Sequence, residues 1–102
     1  MANIREHKFT NAAGSSEQVQ IVDRSPTGRE QLSIFGTLGG GTIFIKKQLV
    51  LSDGTTSSVT EIAEYSDEIN IQMAVGKDNN IFVEVTGMSV ATDLIAKSTP
   101  LN

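Results

Sequence analysis

This sequence predicts an all-β fold, a small antiparallel β-sandwich or jelly-roll-like barrel with a flexible N-terminal arm, and three observations carry that prediction. Apolar residues recur with the two-residue period of half-buried strands, as in "EINIQMAV" and "IFVEVTG". Turn signals rich in Gly, Pro, Asn and Asp separate these runs at intervals of about eight to twelve residues. No segment offers the crossover helix that a parallel sheet needs. The ten Ser, ten Thr and nine Gly against five aromatic residues suit short strands and turns better than a helical bundle.

The chain has 102 residues, enough for one core and too few for a second of similar size. Residues 1–16 carry only Ile4 and Phe9 as large apolar groups, among Arg5, Glu6, His7 and Lys8. They read as an arm, because two side chains do not offset a backbone entropy of roughly 1–2 kcal/mol per ordered residue. Ile4, Arg5, Lys8 and Phe9 are accordingly the candidate residues for gripping a neighbouring protein.

The sandwich domain is expected over residues 17–97. Its first strand is "EQVQIVD", with Val19 and Ile21 in one phase, and "RSPTGRE" ends it because Pro26 lacks a donor and Gly28 tolerates positive φ. Strand patterns follow over residues 31–37 and 42–51. Between them Leu38-Gly39-Gly40-Gly41 suits a four-residue hairpin loop, which pairs Ile34 with Ile45 and Gly36 with Ile43. Leu32, Ile34, Ile43, Ile45, Leu49 and Leu51 then share a face that only Lys47 interrupts. A bulge near Lys46-Lys47 removes the conflict; so does a three-residue loop that sets Phe35 opposite Ile45. "SDGTTSS" is a second turn, and "VTEIAEYSDE" fits a short strand or a single helical turn. Ile69, Ile71, Met73 and Val75 alternate cleanly, "GKDNN" turns the chain, and Ile81, Val83 and Val85 line one face of the next strand. A last strand covers "MSVATDLIAK", leaving residues 98–102 as a tail.

Composition narrows the function classes. A net charge of −4 repels a polyanion at long range and argues against direct nucleic-acid binding. No apolar run is long enough to span a bilayer, and the charged opening "MANIREHKF" does not read as a signal peptide, so the expectation is a soluble protein made in a cytoplasm. With no cysteine there is neither a disulfide nor a thiolate metal site. The glycine cluster leads into a strand, whereas a phosphate-binding loop leads into a helix whose amides hold the anion. Asp53 is the single carboxylate of "SDGTTSS", too few for a calcium loop. Glu61, Glu64, Asp67 and Glu68 read as a solvated surface. His7 is the one histidine and sits in the presumed arm, away from any rigid nucleophile. The expectation is therefore no catalytic, metal or cofactor residue, and no enzyme.

The order of the pieces itself carries a resemblance. Phe35-Gly36-Thr37 into "GGGT", a long strand, "SDGTT", then "INIQMAVGKDNNIFVEVTG" and a last strand resemble the small β-sandwich proteins encoded beside the coat-protein gene of tailed bacteriophages, over about residues 31–96. Gly40-Gly41-Thr42 matches the hairpin entry of that pattern, Ser52-Asp53-Gly54 its second turn, Val75-Gly76 its third and Val85-Thr86-Gly87 its strand end. Where such sequences frequently place a tryptophan after the Asp-Gly turn, this one has "TTSSV". The resemblance implies a capsid decoration or cement protein, a structural virion component on the capsid exterior, bound to the major capsid protein as a homo-oligomer, a trimer at local threefold positions, and performing no chemistry. A different class with the same fold is a carbohydrate-binding or tail-fibre-tip module, which needs an exposed aromatic platform, with Tyr65 and Phe44 as its candidates.

Overall fold

The alternation becomes eight antiparallel strands in a computed structural model that describes residues 5–102. They are β1 (Glu6–Thr10), β2 (Ser16–Val22), β3 (Arg29–Thr37), β4 (Thr42–Leu49), β5 (Thr60–Tyr65), β6 (Ile69–Ala74), β7 (Asn79–Thr86) and β8 (Asp93–Pro100). Sheet A has the order β1-β8-β3-β6 and sheet B the order β2-β7-β4-β5. Every connection except the β4–β5 hairpin crosses from one sheet to the other. Two four-stranded sheets wound in this order form an eight-stranded jelly roll. The inward phases of both sheets meet in one core, in which Leu32, Ile34, Leu94 and Ala96 of sheet A face Ile43, Ile45, Val83 and Val85 of sheet B.

The glycine cluster does not close a hairpin. β3 and β4 lie in different sheets, so Ile34 pairs with Ile69 and Ala96, while Ile45 pairs with Ala63 and Val83. Leu32 and Ile34 of β3 and Ile43 and Ile45 of β4 are still buried, from opposite sides of the core. Two-residue periodicity states which side chains face inward, and a crossover satisfies it as well as a hairpin does. Leu49 and Leu51, expected on that buried face, are exposed.

Nor are residues 5–16 a free arm. β1 pairs with β8 from Glu6↔Lys97 to Thr10↔Asp93, and the Phe9 ring is fully buried in the core. Counting large side chains undervalued this segment, because it omitted the backbone ladder and the depth at which one phenyl ring sits. Ile4 lies outside the described residues. The expected tail is also structured: β8 continues through Pro100, Ser98 is buried, and the Leu101 amide donates to the Arg29 carbonyl.

Two register shifts adapt the pattern to the curvature of the fold. One between Gln20 and Val22 on β2 lets consecutive residues Ile21 and Val22 both reach the core. The other lies in the β4–β5 pairing, where Ile45 faces Ala63 but Lys46 faces Glu61, so that Ile62 of β5 is the extra residue. β4 itself pairs without interruption with β7, and Lys47 stays half-buried in the phase of Ile43 and Ile45.

Candidate interaction surface

The strand phases that fill the core also decide what the outer faces present. On β3, Leu32 and Ile34 point inward, so Phe35 points outward; on β8, Leu94 and Ala96 point inward and Ile95 outward. The β3–β8 register sets Phe35 directly opposite Ile95, and the β1–β8 register adds Lys8 to the same row. Phe35 is 51% exposed and Ile95 53% exposed. Neighbouring rows are polar. Lys8 Nζ lies 3.6 Å from Asp93 Oδ1 on one side, and Lys97 Nζ lies 3.6 Å from Glu6 Oε1 on the other. Glu68 borders the patch, its Oε2 accepting the Gly36 amide proton at 2.7 Å. An apolar centre framed by ion pairs on a sheet face has the anatomy of a protein-binding patch.

Of the described residues expected to grip a partner, only Lys8 belongs to this surface. Phe9 is in the core, and Arg5 turns inward to Glu30, its Nη1 donating to Oε1 at 2.6 Å. Phe35 and Ile95 were absent from the sequence candidates. In "LSIFGT" the alternation leaves the side of Phe35 to the loop length, in "DLIAKS" three apolar residues run together, and the adjacency of the pair depends on pairing two strands far apart in the chain.

Glu30 was also missed. It occupies the inward phase of β3 and is 1% exposed. Its Oε1 accepts Arg5 Nη1 and the Ser98 hydroxyl at 2.8 Å, while Oε2 accepts the Ser25 hydroxyl at 2.6 Å. Ser25 in turn accepts the Gly28 amide at 3.2 Å. Ser25 and Ser98 are buried too, and of this group only Arg5 reaches solvent. It locks the chain before β1, the β2–β3 connection, β3 and β8 to one another.

His7 spans the two sheets at the opposite end of β1 from Phe9's neighbour Thr10. Its Nε2 lies 3.2 Å from Glu17 Oε1 of β2, and its ring meets Phe9 edge to face at 4.7 Å between centroids. Among the described residues, no group of three or more His, Asp or Glu is placed to hold a metal ion.

The glycine cluster is stapled to the β7–β8 connection. Ser89 Oγ donates to the Gly39 carbonyl and Thr92 Oγ1 to the Leu38 carbonyl, both at 3.0 Å. Gly39 has φ +70°, and a Cβ on Gly41 would collide with the Thr86 carbonyl oxygen. These glycines therefore admit a close backbone approach. "SDGTT" caps the β4–β5 hairpin, where Asp53 Oδ1 accepts both the amide and the hydroxyl of Thr55. Those bonds, the hydroxyl first, hold the Asp53 carboxyl below its ordinary range.

The aromatic platform expected of a sugar-binding module is not assembled from its two candidates. Tyr65 packs against the core, and Phe44 is half-buried on the outer face of sheet B between Glu64 and Glu84. No protein-family model, characterised protein or solved structure matches the chain.

Proposed function

We propose that this chain is a structural virion protein, a phage head decoration or cement subunit that binds the major capsid protein on the outer capsid surface. The observation that carries the proposal is the Phe35–Ile95 pair, half exposed at the centre of the outer face of sheet A and ringed by Lys8, Asp93, Glu6 and Lys97. A partner that covers this face removes two large apolar side chains from water, and the surrounding charges orient it. The order of turns and strands resembling phage decoration proteins supplies the class of partner. The jelly roll agrees with it, since that architecture recurs in viral capsid domains, although it also serves lectins and does not select a function.

Binding to particles tests the proposal. The protein, mixed with capsids of the phage that encodes it, is expected to co-sediment and to appear as added density on the shell by electron microscopy. Phe35→Ser and Ile95→Ser, both at exposed positions, are expected to keep the fold and to weaken binding by about tenfold or more, the scale of an interface anchor. Density confined to a tail, or particles that never take up the protein, overturns it.

A further inference from the structure

The jelly roll has four edge strands: β1 and β6 in sheet A, β2 and β5 in sheet B. An edge presents unpaired backbone donors and acceptors, and natural sheets guard edges with charges, prolines, bulges or short length. Three of these edges are guarded. β1 has five residues and carries Glu6 and Lys8. β2 carries Glu17, which reaches His7, and is bulged at Ile21. β5 carries Glu61 and Glu64 and is bulged at Ile62.

β6 has none of these devices. "INIQMA" contains no charge and no proline, and its register against β3 runs unbroken from Ile69↔Ile34 to Ala74↔Arg29. The nearest preceding charge, Glu68, is turned to β3 by its bond to the Gly36 amide. On the inward face Ile71 and Met73 pack against the core yet remain only half-buried, their edge side uncovered. On the outward face Asn70, Gln72 and Ala74 are exposed.

We infer that β6 is a self-association edge, which pairs antiparallel with β6 of a second copy and joins two A sheets into one of eight strands. A second copy is the occupant that fits, because this edge is complementary to itself. Antiparallel pairing keeps inward residues opposite inward ones, and a twofold axis at Ile71 sets Ile71 against its own copy. Ile69 of each copy then faces Met73 of the other, and Asn70 of each faces Gln72 of the other. Carboxamides both donate and accept, so the Asn–Gln pairs are satisfied under the twofold, where a charged edge would oppose like charges. The added strands cover the open sides of Ile71 and Met73. This contact uses a surface distinct from the outer face of sheet A, so its test stands apart from capsid binding.

One six-residue strand pair is a small interface, and a dissociation constant in roughly the micromolar to hundred-micromolar range is expected. Sedimentation velocity of the full chain over that range should show a monomer–dimer equilibrium. Salt should strengthen it, because each copy carries a net charge of −4 while the edge itself is neutral. Gln72→Lys, at an exposed position without a side-chain partner among the described residues, should raise the dissociation constant by about tenfold, because each lysine replaces a carboxamide that faces Asn70 of the other copy and sets a second cation diagonally across the axis. Thr60→Lys on β5 should leave it unchanged. Amide exchange in β6 should slow as concentration rises. A monomer at every concentration, a trimer, or a dimer indifferent to Gln72→Lys overturns the inference.

Discussion

Replacing Glu30 by glutamine preserves the shape of the buried side chain and removes its charge, which isolates what the carboxylate contributes. In the native chain it accepts three hydrogen bonds, from Arg5 and Ser98 on Oε1 and from Ser25 on Oε2. A glutamine oxygen keeps the first two partners. Its NH2 group must then face Ser25 Oγ, which already accepts the Gly28 amide, so the Ser25 hydroxyl proton loses its acceptor. Hydrogen bonds to a charged group contribute about 1.5–3 kcal/mol and neutral ones about 0.5–1.5 kcal/mol, so weakening three of them costs about 1 kcal/mol each. Arg5 is 20% exposed and recovers part of this from water. The expected loss for Glu30→Gln is therefore ~2–3 kcal/mol, against a total stability of about 5–15 kcal/mol for a domain of this kind. Glu30→Ala strands Arg5 and both hydroxyls and should cost ~3–5 kcal/mol, the scale of breaking a buried ion pair. Urea melts followed by circular dichroism measure both, and a double-mutant cycle with Arg5→Ala measures the coupling. A Glu30→Gln variant within about 0.5 kcal/mol of the parent would show that the carboxylate does not lock these segments together.

Further outcomes follow from the same structure. Phe9→Ala should destabilise the fold by ~3–5 kcal/mol in thermal or urea melts, because the ring is fully buried, whereas a free arm predicts no change. Gly41→Ala should cost ~2–3 kcal/mol, since the new Cβ meets the Thr86 carbonyl, while Gly40→Ala, with open space but φ +89°, should cost only ~1–2 kcal/mol. Equal losses at the two positions in denaturant melts would contradict the close approach. Asp53 should titrate by NMR below the ordinary aspartate value, and Thr55→Val should move it back up by removing the hydroxyl bond. Because the folded value is depressed, the turn's contribution is present above the unfolded pKa and lost as pH falls through the folded one.

By itself the sequence determined the all-β class, the inward phase of β2, β3, β4, β6 and β7 through most of their length, and the positions of most turns. Each of these is local, resting on two-residue alternation in segments such as Ile81–Val85 and on turn chemistry at Ser52-Asp53-Gly54. Tertiary structure alone decided which strands are neighbours. The chain Leu38–Gly41 reads the same whether it folds β4 back beside β3 or carries it across to the other sheet. The choice falls to contacts contributed by the β7–β8 connection, such as Ser89 and Thr92 against the glycine loop. The same holds for β1, whose five residues become core because β8 offers an edge and the sandwich a slot for Phe9. It holds also for the candidate interaction surface. Phe35, Ile95 and Lys8 lie in three segments far apart in the chain, and they form one patch only after β1, β8 and β3 are laid side by side. A register between distant strands is set by the total burial it achieves, a quantity that no single segment contains.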